Sequence, residues 1–251
     1  MPVKERSLKL YLMLLLMGDL DFGYVKMTPA MQQIFDLSLN QKTKGTLSSL
    51  IKEGKIMKSQ DEDVSYCLTS KGFEALCLEF PFFRFQKYTW DGLWRILSYE
   101  IPESKRFIRD AFRRSIQGWG LGPWHRSFWV SPHPVLSTLR DMTYAKEEEQ
   151  YIQAFEATHM VGKLDVLVEK VWKLTELEKE YKELFKKWHE LLSEELDATT
   201  KLSHVIYAYI SQLRNDPGLP ASLVGRQWIG FEAYTIFKDI RNLLAKSLET
   251  Q

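Results

Sequence analysis

Apolar residues in the first third of the chain recur at helical spacing and predict a series of short helices. The apolar run at residues 10–17 is far shorter than the roughly 20 residues needed to cross a bilayer, so we expect a buried first helix. Thr28 and Pro29 are the residue types of an N-cap and a first helical position, and they predict a second helix. A third helix is predicted in QKTKGTLSSLIKEGKI, where Gly54 is placed to end it.

Two short runs after the third helix have the character of β-strands. Residues 56–59 and 64–68 can pair as a hairpin, and a further helix begins in LTSKGFEAL. Three helices followed by a two-stranded wing form the winged-helix layout, in which the third helix enters the major groove of DNA. We therefore predict a winged helix-turn-helix domain over residues 1–86.

The third helix presents small polar side chains and ammonium groups opposite its apolar stripe. Such a face fits against DNA, because ammonium groups neutralise phosphates. The tip of the hairpin is acidic at Asp61, Glu62 and Asp63, and carboxylates repel the DNA backbone. Either the wing stays off the duplex, or this domain contacts protein. The candidate DNA-binding residues are Lys42, Lys44, Thr46, Ser48, Ser49 and Lys52 in the helix and Lys58 in the hairpin.

The middle of the chain mixes strands with helices. WRILSYEIP predicts a strand that Pro102 ends, and residues 105–119 predict a helix. Further along we expect a second strand in GPWHRSFWVSP, a second helix at residues 135–142, and strands at residues 151–155 and 164–168. This order predicts a small α+β domain of ferredoxin-like type over residues 87–170.

From Trp172 onward the pattern is helical throughout. Leu174, Tyr181 and Trp188 belong to an apolar stripe with three- and four-residue steps, which is typical of an amphipathic helix with a coiled-coil-like period. The turn NDPGLP breaks a second helix, and residues 229–244 predict a last one. The whole chain is thus expected to be α+β, with an all-helical domain over residues 171–251.

Composition narrows the class of partner. The formal net charge is +1, so no overall field favours nucleic acid or a membrane, and such a partner must meet a local patch. Cys67 and Cys77 form no CxxC and cannot make a disulfide framework, which favours a reducing cytoplasm. The apolar start lacks a small-residue cleavage site, so we expect neither export nor a membrane partner.

Enzyme signatures are missing from the sequence. It contains no GxSxG, HExxH or P-loop, and its five histidines lack metal-ligand spacing, so we expect no catalytic residue, metal or cofactor. One rival interpretation is a metal-dependent nuclease, because the predicted ferredoxin-like domain is similar to small dimeric CRISPR-associated nucleases with an acidic residue after the first strand. Glu100 lies near that position, but one carboxylate per chain supplies few of the oxygen ligands that Mg²⁺ needs.

Three parts of the chain together resemble the PaaX family of bacterial transcriptional repressors. They are the winged-helix start, the block WRILSYEIPESKRFIRDAFRRSIQGWGLGPWHRSFWVSP and the block LSHVIYAYISQLRNDPGLPASLV. The resemblance spans nearly the whole chain and implies a homodimeric repressor that binds a double-stranded DNA operator. The best-known member controls phenylacetate catabolism and is released by phenylacetyl-coenzyme A, so the resemblance also implies an acyl-coenzyme A effector.

The stretch rich in arginine and tryptophan in the middle of the chain is a candidate site for an acyl-coenzyme A effector. Coenzyme A carries phosphates and an adenine ring, so its pocket needs guanidinium groups and flat surfaces. The candidates are Arg109, Arg113, Trp124 and Arg126, and His204 matches a histidine that recurs in the family. The same arginines could instead contact DNA phosphates. A winged-helix scaffold that binds protein remains the main alternative, favoured by the acidic wing and the long amphipathic helix.

Overall fold

The computed structural model describes residues 4–18, 22–38, 40–60, 63–86 and 89–249. The chain is mixed α+β, with two antiparallel sheets and a helical C-terminal region. It divides into two compact units. The described residues of Leu78–Glu183 and Gln212–Glu232 form the first unit, and those of Pro2–Cys77, Leu184–Ser211 and Ala233–Gln251 form the second.

The second unit begins with four helices and a small sheet. The helices are α1 (Glu5–Met17), α2 (Pro29–Ile34), α3 (Gln41–Lys52) and α4 (Ser70–Glu79), and the strands are β1 (Val25–Lys26), β2 (Ile56–Lys58) and β3 (Ser65–Leu68). The strands are antiparallel in the order β1-β3-β2. The predicted helices and the predicted hairpin are confirmed as elements, with ends that shift by a few residues at most.

Local chemistry explains where these helices start and stop. The Thr28 hydroxyl accepts the Met31 N–H at 3.3 Å, and the Asn40 side chain accepts the Thr43 N–H at 3.0 Å, so both residues are N-caps. Gly54 follows α3 with a φ of 69°, a conformation that favours glycine. The predicted burial of the first helix is also confirmed, because every residue from position 10 to position 16 is buried.

The first unit contains a four-stranded antiparallel sheet in the order β5-β6-β4-β7. Its strands are β4 (Leu93–Tyr99), β5 (Gly122–His125), β6 (Phe128–Ser131) and β7 (Ile152–Thr158), and its helices are α5 (Arg106–Gly118), α6 (Leu136–Thr143) and α7 (Leu164–Trp172). Helices cover both faces of this sheet. Trp129 packs with residues of α5 and α6 on one face, whereas its neighbour Val130 packs with residues of α7 on the other.

Two sequence predictions in this region are wrong. GPWHRSFWVSP, predicted as one strand, forms the antiparallel hairpin of β5 and β6, because Arg126 takes a positive φ of 41° and the chain reverses there. Residues 164–168, predicted as a strand, begin α7 instead. Val168 and Val171 are buried three positions apart on α7, and a window of five residues is too short to reveal that helical period.

The remaining helices are α8 (Leu174–Ser193), α9 (Ala198–Leu213), α10 (Ala221–Val224) and α11 (Ile229–Glu249), which confirms the helical C-terminal region. In the second unit, Trp188, Tyr209 and Phe237 form an aromatic cluster. The rings of Tyr209 and Phe237 stack with centroids 4.7 Å apart, and the Trp188 indole N–H donates to the Val205 carbonyl at 3.3 Å. None of the helices in the described ranges has both the length and the apolar character required to cross a membrane.

Candidate functional site

Helix α3 has one buried face and one solvent-exposed face. Thr43, Leu47 and Leu50 recur at steps of four and three residues and are buried. Lys58 is exposed on the neighbouring strand β2. The other sequence candidates lie on α3, where Thr46 is partly exposed and Lys42, Lys44, Ser48, Ser49 and Lys52 are exposed. The structure therefore collects six of the seven candidates on one helix.

Two hydroxyl groups of α3 are held by local hydrogen bonds. The Thr46 hydroxyl donates to the Lys42 carbonyl, and the Ser49 hydroxyl donates to Glu53 Oε1, each at 2.9 Å. Hydrogen bonds from Lys55 and then Ser49 hold the pKa of the Glu53 carboxyl below its usual range. By contrast, Lys42 and Lys52 make no ion pair with any described residue, so their charges remain available to a ligand.

The acidic tip of the hairpin is partly neutralised by a residue that the sequence analysis did not single out. Strand β1 pairs with β3 so that Lys26 lies opposite Ser65, and Lys26 Nζ then contacts Asp63 Oδ2 at 2.5 Å. This hydrogen bond lowers the pKa of Asp63. Asp61 and Glu62 lie outside the described residues. No sequence signal connects Lys26 to Asp63, because their proximity depends on strand pairing.

The effector candidates are distributed over three elements. Arg109 on α5 contacts Glu103 at 2.5 Å, and this hydrogen bond raises the pKa of Arg109. Arg113, one turn further, lies with its guanidinium carbon 6.0 Å from the centroid of the Trp129 ring, a cation–π distance. Trp124 and Arg126 are exposed on the β5–β6 hairpin.

The structure does not join these candidates into one cluster. No hydrogen bond, ion pair or ring contact among the described residues connects Arg109 or Arg113 with Trp124 or Arg126. His204 is exposed on α9 and belongs to the second unit. A coenzyme A pocket made from these five side chains stays a prediction.

The first unit contains a buried polar centre where three glycine- and proline-containing motifs meet. His133 Nε2 lies 3.2 Å from the Pro217 carbonyl oxygen. Both oxygens of Asp216 accept hydrogen bonds, from the Tyr181 hydroxyl at 2.6 Å and from the Gly218 N–H at 2.7 Å. The motifs GWGLGP, WVSPHP and NDPGLP thus form a structural core, for which the sequence predicted only turns and an ordinary polar or core histidine.

Glycine is required at this centre because the backbones approach closely. A Cβ atom on Gly218 would lie 2.0 Å from the Pro81 carbonyl oxygen, and one on Gly120 would lie 2.8 Å from the Pro217 carbonyl oxygen. Both glycines also have positive φ angles, of 65° and 83°. The glycines of the GWGLGP and NDPGLP motifs therefore fix backbone packing.

Burial shifts the pKa values of both titratable groups at the centre. Desolvation, with a smaller contribution from the charge of Arg84, lowers the pKa of His133 to about 3. Desolvation raises the pKa of Asp216, and the hydrogen bond from Tyr181 offsets part of that rise. His133 is therefore neutral at physiological pH, as a structural rather than a titrating histidine.

Groups typical of metal sites are not assembled in the described ranges, where no cluster of three or more His, Cys, Asp or Glu side chains is placed to hold an ion. Glu100, the candidate of the nuclease hypothesis, is exposed directly after β4, and its backbone N–H donates to the Tyr151 carbonyl at 3.0 Å. Cys67 and Cys77 are both buried and form no disulfide bond.

Comparison with known proteins identifies the family. A family model described as the PaaX protein central Cas2-like domain matches residues 87–166, and one described as the PaaX-like protein C-terminal domain matches residues 172–250. No curated protein matches the chain by sequence. A similar solved structure is the uncharacterized protein Rv0674 from Mycobacterium tuberculosis, with a TM-score of 0.54 and 19% identity over 97% of this chain and 96% of that one. At this identity the likeness concerns the fold alone. Since the two matched ranges cover more than half of its residues, the chain belongs to the PaaX family.

Proposed function

We propose that this PaaX-like protein is a cytoplasmic transcriptional repressor that binds a double-stranded DNA operator through the exposed face of α3. The observation that carries the proposal is the set of exposed, unpaired lysines on this helix, including Lys42 and Lys52. The order α1, α2, α3, β2 and β3 supports the proposal, because three helices followed by a two-stranded wing is the layout in which the third helix enters the major groove. Cys67 and Cys77 form no disulfide bond, which is compatible with a reducing compartment.

The test is selection of DNA from a random pool, followed by fluorescence anisotropy of the purified protein across a salt series. A repressor of this kind binds a selected sequence with an affinity that falls steeply as salt rises, because neutralised phosphates release counterions. If no sequence is enriched at any salt concentration, the proposal is wrong. Binding of a protein partner through apolar contacts would hardly respond to salt.

We further propose that an acyl-coenzyme A thioester releases the operator. Exposed guanidinium groups on Arg113 and Arg126 and the exposed ring of Trp124 support this, because they can pair with phosphates and stack on adenine. A panel of aryl-acetyl and other acyl thioesters added to the anisotropy assay should contain one that dissociates the complex. Free coenzyme A serves as the control for effects of the nucleotide part alone.

Replacing Gly45 with alanine should stabilise α3 and at the same time weaken DNA binding. A Cβ atom at this position meets nothing within 4 Å, and alanine favours a helix interior by about 1 kcal/mol over glycine. Gly45→Ala should therefore raise the free energy of unfolding in urea. The added methyl group stands on the face proposed to approach DNA, so the affinity should fall several-fold.

Gly118→Ala is the matched control for Gly45→Ala. Gly118 ends α5 and also has open space around its Cα, so its substitution should leave DNA affinity unchanged. A Gly45→Ala variant that gains stability and keeps full affinity would argue against close approach of α3 to DNA.

We propose that the repressor is a homodimer formed along β7. This strand lies at one edge of the four-stranded sheet, and its seven residues include neither proline nor lysine, which protect many sheet edges. Its one charged residue, Glu156, lies 3.0 Å from Arg95 within the same chain. Two β7 strands can therefore align antiparallel around the exposed Phe155 without placing like charges opposite each other.

Phe155→Lys should convert the dimer into a monomer, because the two new charges would meet at the centre of the paired strands. Analytical ultracentrifugation measures this directly. Phe107→Lys, which places a lysine at an exposed phenylalanine of α5, is the matched control and should remain dimeric. Sedimentation of Phe155→Lys as a dimer would exclude the β7 contact.

A further inference from the structure

A polar groove lies beside α3 in the second unit, where α1 begins. It has a volume of about 480 Å³. The polar side chains that line it are Lys4, Glu5, Arg6 and Lys9 from the start of α1, Asp36 and Ser38 from the segment after α2, and Thr46 from α3, so its three cations outnumber its two carboxylates by one charge. The groove thus draws on three segments that precede the proposed DNA-binding face or form part of it.

Ion pairs leave the groove with unneutralised positive charge. Lys9 Nζ lies 2.7 Å from Asp36 Oδ2 and 3.6 Å from Glu5 Oε1, so one ammonium group faces both carboxylates. The hydrogen bond to Asp36 raises the pKa of Lys9, which keeps it charged. Lys4 and Arg6 have no ion-pair partner among the described residues. The two cations are therefore free to bind an anion.

The groove also contains a hydroxyl group with a proton to donate. Asn40 Nδ2 donates to Ser38 Oγ at 2.9 Å, so the Ser38 oxygen acts as acceptor and its own proton remains for another partner. An arginine, a lysine and a serine hydroxyl can all donate to the two non-bridging oxygens of a backbone phosphate, because each oxygen accepts more than one hydrogen bond and Arg binds phosphate through its fork of N–H donors.

Thr46 connects the groove to the proposed recognition surface. It lies on α3 one turn after Lys42, whose carbonyl accepts its hydroxyl proton. An α-helix with its side chains is roughly 10–12 Å across and fills the major groove of DNA. The two sugar-phosphate strands that border the major groove therefore pass along the sides of the bound helix. Beside α3 the lining of this polar groove has a net positive charge, whereas the sequence of the hairpin tip is acidic.

We infer that the groove holds a phosphate of the DNA backbone, bound by Arg6 and Lys4 with Ser38 as a further donor. The inference rests on the proposed function, because it requires DNA on α3. The start of α1 and the segment after α2 would thus contact the DNA backbone. Such a contact fixes the position of the protein on the duplex and carries no sequence information.

Arg6→Ala tests the contact in the full-length protein on the selected operator. Loss of one phosphate contact should lower the slope of log affinity against log salt by about 0.9, and the affinity by about eight-fold near 0.1 M salt, for each subunit of the bound dimer. Arg6→Lys should recover most of the slope because it keeps the charge. The order of preference among operator variants should stay unchanged.

Lys187→Ala is the matched control, since it removes one exposed positive charge from α8. An Arg6→Ala variant with the wild-type salt slope would overturn the inference and leave DNA binding by α3 intact. An Arg6→Lys variant with a salt slope as shallow as that of Arg6→Ala would also overturn it. Failure of the wild-type protein to bind any DNA would instead refute the proposed function.

Discussion

Replacing both Lys42 and Lys52 with alanine should weaken operator binding on the order of 50-fold near 0.1 M salt for each subunit of the bound dimer. Both ammonium groups lie on the exposed face of α3, and neither is engaged by an ion pair in the described part of the chain. Each phosphate that they neutralise releases counterions, so the salt slope should fall by about 1.8 per subunit, and the difference from wild type should shrink to nothing near 1 M salt. Anisotropy across the salt series measures both effects.

The control for this variant removes two lysine charges from a different helix. Lys179 and Lys187 are exposed on α8, and their double replacement by alanine should leave the salt slope close to that of wild type. Equal affinity of the Lys42 and Lys52 variant and wild type at low salt would show that α3 is not the recognition surface. The scaffold hypothesis would then gain support.

Acid should destabilise the first unit through His133, by on the order of 4 kcal/mol between pH 6.5 and pH 3. Burial lowers the pKa of His133 to about 3 in the folded protein, whereas an unfolded histidine titrates near pH 6.5. The unfolded chain therefore binds this proton more tightly. The contribution of neutral His133 is complete above about pH 6.5 and is lost as the pH falls toward 3. Asp216 acts in the opposite direction, because burial raises its pKa.

Comparison with His133→Gln isolates the contribution of the histidine from that of Asp216. Glutamine keeps an N–H donor for the Pro217 carbonyl but does not titrate. Urea unfolding near pH 7 and near pH 4.5 should show that wild type loses on the order of 2–3 kcal/mol more than His133→Gln over this interval. The same pH dependence in both proteins would mean that the pKa of His133 is not lowered in the folded state.

Local patterns in the sequence determined much of the fold in advance. The exposed face of α3 followed from the spacing of Leu47 and Leu50, and the start of α2 followed from the Thr28 cap, because both depend on residues within one or two turns. The β5–β6 hairpin was missed since Arg126, rather than glycine or asparagine, takes the positive φ at the reversal. Without those residue types the turn has no sequence signature.

Contacts between distant segments explain most of what the sequence did not reveal about the candidate site. The pairing of Lys26 with Asp63 depends on the register of β1 against β3. Thr46 and Arg6 line the same polar groove because α1 and α3 pack in the same unit. Asp216 stands in a polar turn motif, and nothing in its neighbours along the chain indicates that its carboxylate is fully enclosed.

The interleaving of the two units along the chain limits how this regulator can be taken apart. The unit that carries α3 is completed by residues 184–211 and 233–251, and Arg241 from the last segment donates to the Leu16 carbonyl at 2.7 Å. A fragment that stops after α4 would lack these partners. The surface that we propose to bind DNA is therefore not carried by one continuous segment, and transferring it between relatives would require grafting three separate pieces of sequence together.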